Sequence, residues 1–168
     1  MKRKISFIVL VISLLFIVTG CDDENENNTI KNYSTDGLNH TSCVRDAYTT
    51  DDNTDVDIKI DIYSDDNGYI KLFESVEKIT SSDDKVLTEY EESYNKIYSA
   101  YKDIKYYDNK VERKDNTVIS TTTINYGKVD MKKVLEIEGE EDNVKVVDGK
   151  IKLSDWKSFA KKYGTTCK

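Results

Sequence analysis

From Asp55 to Ile62 the chain alternates without a break, with Val56, Ile58, Ile60 and Ile62 on one parity and Asp55, Asp57, Lys59 and Asp61 on the other. Successive side chains of a strand point to opposite faces, so this stretch is extended, apolar on one side and charged on the other. Whatever else the chain does, it must build a sheet with one wet face and bury the other under something. Ser64 to Gly68 follows at once and ends in Asn67-Gly68, a strong hairpin signal, with Tyr69 to Thr80 as the return strand.

The cover for that sheet is legible further on. Ser81 or Ser82 is placed to cap a helix whose first turn carries Asp83 and Asp84, favourable near the positive end of the macrodipole. At about 100° per residue, Val86, Leu87, Tyr90, Tyr94, Ile97, Tyr98 and Tyr101 fall within an arc of roughly 120°. This predicts one amphipathic helix with a tyrosine-rich buried stripe. A strand is expected around Ile104 to Arg113, a turn at Lys114-Asp115-Asn116, and a Thr-rich strand from Thr117 to Asn125. Asp130 caps a short helical segment through Leu135, Gly139 to Asn143 reads as an acidic loop, and Val144 to Val147 as a short strand before Asp148-Gly149. Ser154 then caps a last helix carrying Trp156, Phe159, Ala160 and Tyr163, with Gly164 as its left-handed end. The order β-β-α-β-β-(α)-β-α predicts an α+β fold, a mainly antiparallel sheet with the long helix and the C-terminal helix on one face.

Ahead of this domain lie three differently composed stretches. Lys2, Arg3 and Lys4 precede an apolar run from Ile5 to Val18 broken only by Ser13, and Val18-Thr19-Gly20-Cys21 ends it. A spanning helix needs about 20 apolar residues, so this shorter run followed by Asp22, Asp23 and Glu24 reads as a removed signal over residues 1–20. Residues 21–40 are rich in Asn, Asp, Glu and Thr and lack an apolar period, which makes them a spacer. Residues 41–168, roughly 128 of them, suffice for a single core. Cleavage removes three of the 25 basic residues and none of the 32 acidic ones, leaving the mature chain still more acidic than the formal −7 of the whole. That balance argues against nucleic acid or an anionic lipid as partner.

Two cysteines bracket the domain, Cys43 and Cys167. On the exported side of a membrane such a pair is expected as a disulfide, worth on the order of 4 to 5 kcal/mol for a loop this long. The alternative, a redox or metal site, lacks a CxxC spacing and any histidine within the domain, since His40 lies in or beside the spacer.

Two resemblances follow from these residues. Val18-Thr19-Gly20-Cys21 resembles the lipobox of bacterial lipoproteins, with Val18 and Thr19 as tolerated variants and Gly20-Cys21 matching its invariant part. It implies that Cys21 becomes the first mature residue and carries a diacylglycerol, whose two acyl chains suffice for stable anchoring. The alternative is an ordinary secretory signal that leaves a free cysteine. The second resemblance spans about Asp57 to Lys168. The hairpin, the helix ending in Tyr101-Lys102-Asp103-Ile104, Val111-Glu112, Ile124-Asn125-Tyr126-Gly127-Lys128-Val129-Asp130 and the terminal helix stopping at Gly164 resemble the YehR-type bacterial lipoproteins. That likeness implies a fold and a cellular address rather than a chemistry.

No catalytic constellation is legible. There is no serine-centred nucleophile elbow and no glycine-rich phosphate loop, and Glu91-Glu92 and Glu140-Glu141 are merely adjacent carboxylates. Asp51, Asn53 and Asp55 occupy positions 1, 3 and 5 of an EF-hand-like run, but Val56 replaces its glycine and Ile62 its bidentate glutamate, so no metal and no cofactor is expected. The suggestive feature is aromatic: Tyr90, Tyr94, Tyr98, Tyr101, Tyr106 and Tyr107 concentrate in one region. They form either plain core or, where exposed, a groove for a peptide, glycan or lipid. The resulting expectation is a monomeric, non-catalytic lipoprotein on the extracytoplasmic face of the cell membrane, held there by its lipid, with a small molecule, peptide or envelope protein as partner. A structural envelope component is the alternative. An exported hydrolase is the remotest reading.

Overall fold

The computed structural model describes residues 33–50, 53–139 and 144–168, apart from the side chain of Asp46. Six strands form one antiparallel sheet in the order β4-β5-β3-β2-β1-β8. They are β1 (Asn39–Thr49), β2 (Asp55–Ser64), β3 (Ile70–Thr80), β4 (Tyr107–Lys114), β5 (Thr117–Asn125) and β8 (Thr165–Cys167). A two-stranded hairpin, β6 (Val146–Val147) with β7 (Lys150–Ile151), stands apart. Three helices complete the domain: α1 (Asp84–Ser99), α2 (Met131–Glu138) and α3 (Leu153–Lys161). The α+β architecture expected from the alternation and the amphipathic segments is the one present.

The alternation in β2 sets the two faces. Val56, Ile58, Ile60 and Ile62 are buried, and Asp55, Asp57 and Lys59 are exposed. Inward rows can be read across the ladder, and the outermost two are apolar: Val56, Ile79 and Val118 at one end, Ile62, Phe73 and Ile124 at the other. Helix α1 seals this face with Leu87 and Tyr94, and α3 with Trp156, whose ring lies 5.7 Å from that of Phe73. Met131 and Val134 of α2 join the same core cluster. The Asn67-Gly68 turn forms as its sequence requires. Asp65 Oδ1 accepts from the amides of Asn67 and Tyr69, and Gly68 takes the left-handed conformation at φ 75°.

Strand β1 is the main addition to the expected order. Where a spacer end and a lead-in to the first strand are expected, the chain from Asn39 onward pairs with β2, and His40 stacks on Tyr63 with its Nε2 2.8 Å from Asp61. A bulge between Arg45 and Tyr48 shifts the register by one residue, so that both side chains fall in inward rows. Three-residue β8 then closes the edge of β1. Cys43 and Cys167 sit opposite each other there, Cα atoms 4.0 Å apart, and are disulfide-bonded. The Lys168 amide donates to the Ser42 carbonyl, which makes the cysteine pair a non-hydrogen-bonded one, where facing side chains approach most closely.

Helix ends also differ in detail. The N-cap of α1 is Asp83, whose carboxylate accepts from Lys85 N, while Ser81 Oγ accepts from Asp83 N one step earlier. Asp130 caps α2 as expected, accepting from Lys132 N and Lys133 N. Helix α3 begins one residue before Ser154, behind Lys152, which offers no side-chain cap. Gly164 ends that segment at φ 81°. Strand β4 starts at Tyr107, three residues later than its apolar pattern suggests, because Tyr101 to Ile104 close successive turns that carry the end of α1 toward the sheet.

Candidate functional site

Between the two apolar end rows, the inward face of the sheet carries a polar band. One row runs Arg45, Ile58, Glu77, Ser120, Val111 and the next runs Cys43, Ile60, Ser75, Thr122, Asn109. Three of these ten side chains, Glu77 on β3 with Ser120 and Thr122 on β5, are met by hydroxyls from α1. The tyrosines of α1 answer them. Tyr94 hydrogen-bonds to Glu77, and the Tyr98 hydroxyl meets Ser120 Oγ. Thr122 Oγ1 lies 3.1 Å from that same hydroxyl and donates to Asn109 Oδ1 at 3.0 Å. A helix stripe with an apolar body and a polar tip thus matches a sheet with an apolar frame and a polar centre.

Electrostatics single out Glu77. Burial raises its carboxyl to about 7 against the lowering effects of the Tyr94 hydroxyl and the Arg45 charge. Arg45 reaches this group by ordinary alternation with Cys43, and the β1 bulge that follows brings Tyr48 to the same face, its ring centre 4.8 Å from the guanidinium. Burial likewise drives the Tyr94 phenol far above its ordinary range, reinforced by the negative charge of Glu77. A half-buried carboxyl poised near neutrality, facing a tyrosine and an arginine, has the attributes of a proton acceptor. Its neighbours are the protein's own side chains.

The six tyrosines singled out by sequence divide into three groups. Tyr94, Tyr101 and Tyr107 belong to the core, the last two stacked 4.4 Å apart. Tyr90 and Tyr98 are half-buried along α1, each ring about 6 Å from that of Tyr94. Tyr106 is turned outward, 38 % exposed, in the left-handed region at φ 68°. Cys21 and Asp51 lie outside the described residues. Asp55 accepts a hydrogen bond from Thr49, and among the described residues no cluster of three metal-ligating side chains occurs. Glu77 was missed because a lone glutamate in a strand reads as outward. The parity it shares with Phe73 and Ile79 is the signal that could have found it.

An open groove of about 560 Å³ lies between α2 and the β6–β7 hairpin, lined by Met131, Leu135, Val144 and Val146 together with Lys132, Glu136 and Lys145.

No protein-family model matches this chain, and no curated protein matches it. Two solved structures share its fold. The Escherichia coli YehR protein, determined by NMR, superposes with a TM-score of 0.54 at 19 % identity, over 78 % of this chain and 92 % of that one. A protein from Streptococcus pneumoniae TIGR4, also determined by NMR, gives 0.51 at 14 % identity, over 93 % and 100 %. At these identities the likeness is one of fold, and the YehR-like fold expected from sequence is the fold observed.

Proposed function

We propose that this chain is a bacterial lipoprotein, anchored by lipid on Cys21 to the extracytoplasmic face of the cell membrane, whose domain binds a partner rather than turning over a substrate. The observation that carries the reading is the division of its three cysteines. Cys43 and Cys167 are spent on a bridge, which belongs to an oxidising compartment, and the third stands directly after a basic and apolar leader. Among the described residues no helix is long and apolar enough to cross a membrane.

Binding is favoured over catalysis by how the titratable groups are used. Glu77, Tyr94 and Tyr98 engage one another and the sheet beneath α1. The opposite face of the sheet, away from α1 and α3, carries exposed Val44 and half-buried Val76 and Ile119 among charged and threonine side chains, a mixed surface of the kind used in recognition. The test is fractionation with palmitate labelling in a lipoprotein-processing bacterium. Wild-type chain is expected in the membrane fraction with label, and Cys21→Ser in neither. A Cys21→Ser chain that stays membrane-bound and labelled overturns the reading.

A further inference from the structure

The described chain begins at one particular corner. Tyr33 sits beside Asp108 and Tyr106, and its phenol is pushed up by burial and by the nearby Asp108 charge. Asp108 is in register with Thr123 on the sheet face away from α1 and α3, and Thr123 is buried there. The lead-in to β1 therefore starts over the β4 edge, at the far side of the sheet from β1 itself.

That corner carries an unusual side chain. Ile104 and Tyr107 on either side of Tyr106 are buried, and the Tyr106 carbonyl accepts from Asn125 N at 2.9 Å, so the backbone is held while the ring is turned out. A tyrosine at φ 68° is an outlier among non-glycine residues, of the kind that collects where a side chain must be displayed. The Lys128 ammonium lies 5.5 Å from the ring centre, and the Lys105 side chain is exposed next to it. Acidic groups near it include exposed Asp103, Asp108, whose carboxyl is pushed up by burial, and Glu138, whose charge acts on the adjoining Tyr107.

We propose that the corner formed by Tyr106, Lys105 and Lys128 is a docking surface for an anionic lipid bilayer, engaged once the chain is anchored. The inference rests on the reading of Cys21 as the lipid-bearing residue. An aromatic ring with a polar tip, flanked by ammonium groups on flexible stems, is the chemistry that settles at the headgroup level of a membrane. Tyr33 is twelve residues from Cys21, so the covalent chain holds this corner within about 40 Å of the anchor. Residues 21–168 carry 22 Lys and Arg against 32 Asp and Glu, a net charge near −10 that opposes capture of the free protein by such a membrane. Tethering replaces that encounter by a local one at high effective concentration, where a small patch of the right sign is enough.

The chain from Cys21 onward, coupled through the Cys21 thiol to maleimide lipid, can be displayed on phosphatidylcholine vesicles with or without phosphatidylglycerol. Lysine acetylation is then followed residue by residue by mass spectrometry, with exposed Lys85 and Lys114 at the opposite end of the sheet as internal controls. Lys105 and Lys128 are expected to be protected several-fold on the anionic vesicles while Lys85 and Lys114 are unchanged. Tyr106→Asn, which suits the left-handed backbone, is expected to reduce that protection. Equal acetylation of Lys105 and Lys128 on both vesicles overturns the proposal, as does equal protection of all four lysines or full protection in Tyr106→Asn. Because the coupling is chemical, this outcome is independent of whether cells lipidate Cys21, which the fractionation above decides.

Discussion

Replacing Glu77 by Gln isolates the cost of holding a carboxylate under α1. Gln keeps an oxygen to accept from Tyr94 and removes the charge. In the folded chain the carboxyl titrates near 7, against 4.5 when exposed, so the folded state binds the extra proton between those values. Stability is then greatest below about pH 4.5 and falls as pH rises through about 7, because the unfolded chain ionises first. The full interval corresponds to roughly 3 kcal/mol. Allowing for partial exposure of the group, Glu77→Gln should be more stable than wild type by about 1 to 3 kcal/mol at pH 8 and indistinguishable from it at pH 4. For a domain of this size that is an upward Tm shift of about 4 to 12 °C at pH 8. Urea unfolding followed by circular dichroism at a series of pH values measures it. If Glu77→Gln is less stable at pH 8, the pairing with Arg45 outweighs the burial cost. A difference that does not change between pH 4 and 8 would mean that the carboxyl never titrates in that window. Either result refutes the reasoning.

Three further outcomes follow from the packing. Reducing the Cys43–Cys167 bridge, or Cys43→Ala with Cys167→Ala, should cost on the order of 2 to 5 kcal/mol, seen as a fall in the urea midpoint that reductant no longer changes in the double variant. Tyr98→Phe leaves Ser120 and Thr122 short of a partner beneath α1 and should cost about 1 to 2 kcal/mol, with faster amide exchange in β5 on the side facing the helix. Asp130→Ala removes the acceptor for two amides at the start of α2 and should cost about 1 kcal/mol, with increased exchange confined to that helix.

How much could be read in advance depended on whether a pattern was local. The β2 alternation, the Asn67-Gly68 hairpin, the span Thr117–Asn125, the Asp130 cap and the Gly164 stop are each set by neighbours in sequence, and each is where it was expected. Strand β1 was not legible because its bulge puts Arg45 and Tyr48 in inward rows three residues apart, which breaks the period of two. Strand β8 is three residues long and exists as the partner of Cys43 and its neighbours. The candidate site was half legible. The tyrosine stripe follows from helical spacing, but the reason for tyrosine rather than leucine is the polar band, which appears only when Ser75, Glu77, Ser120, Thr122 and Asn109 are aligned by register across three strands.

The Cys43–Cys167 bridge also has a mechanical meaning. A pull arriving along the lead-in segment meets β1 at Asn39, four residues before Cys43. There the tension divides, part continuing along β1 and part crossing the sulfurs to Cys167, 124 residues away in sequence, and so into β8 and α3. The core rows, the polar band and α1 all lie inside that closed loop. A domain dragged by its leash thus gives up a few residues singly, and beyond Cys43 further peeling must draw on both ends of the fold at once.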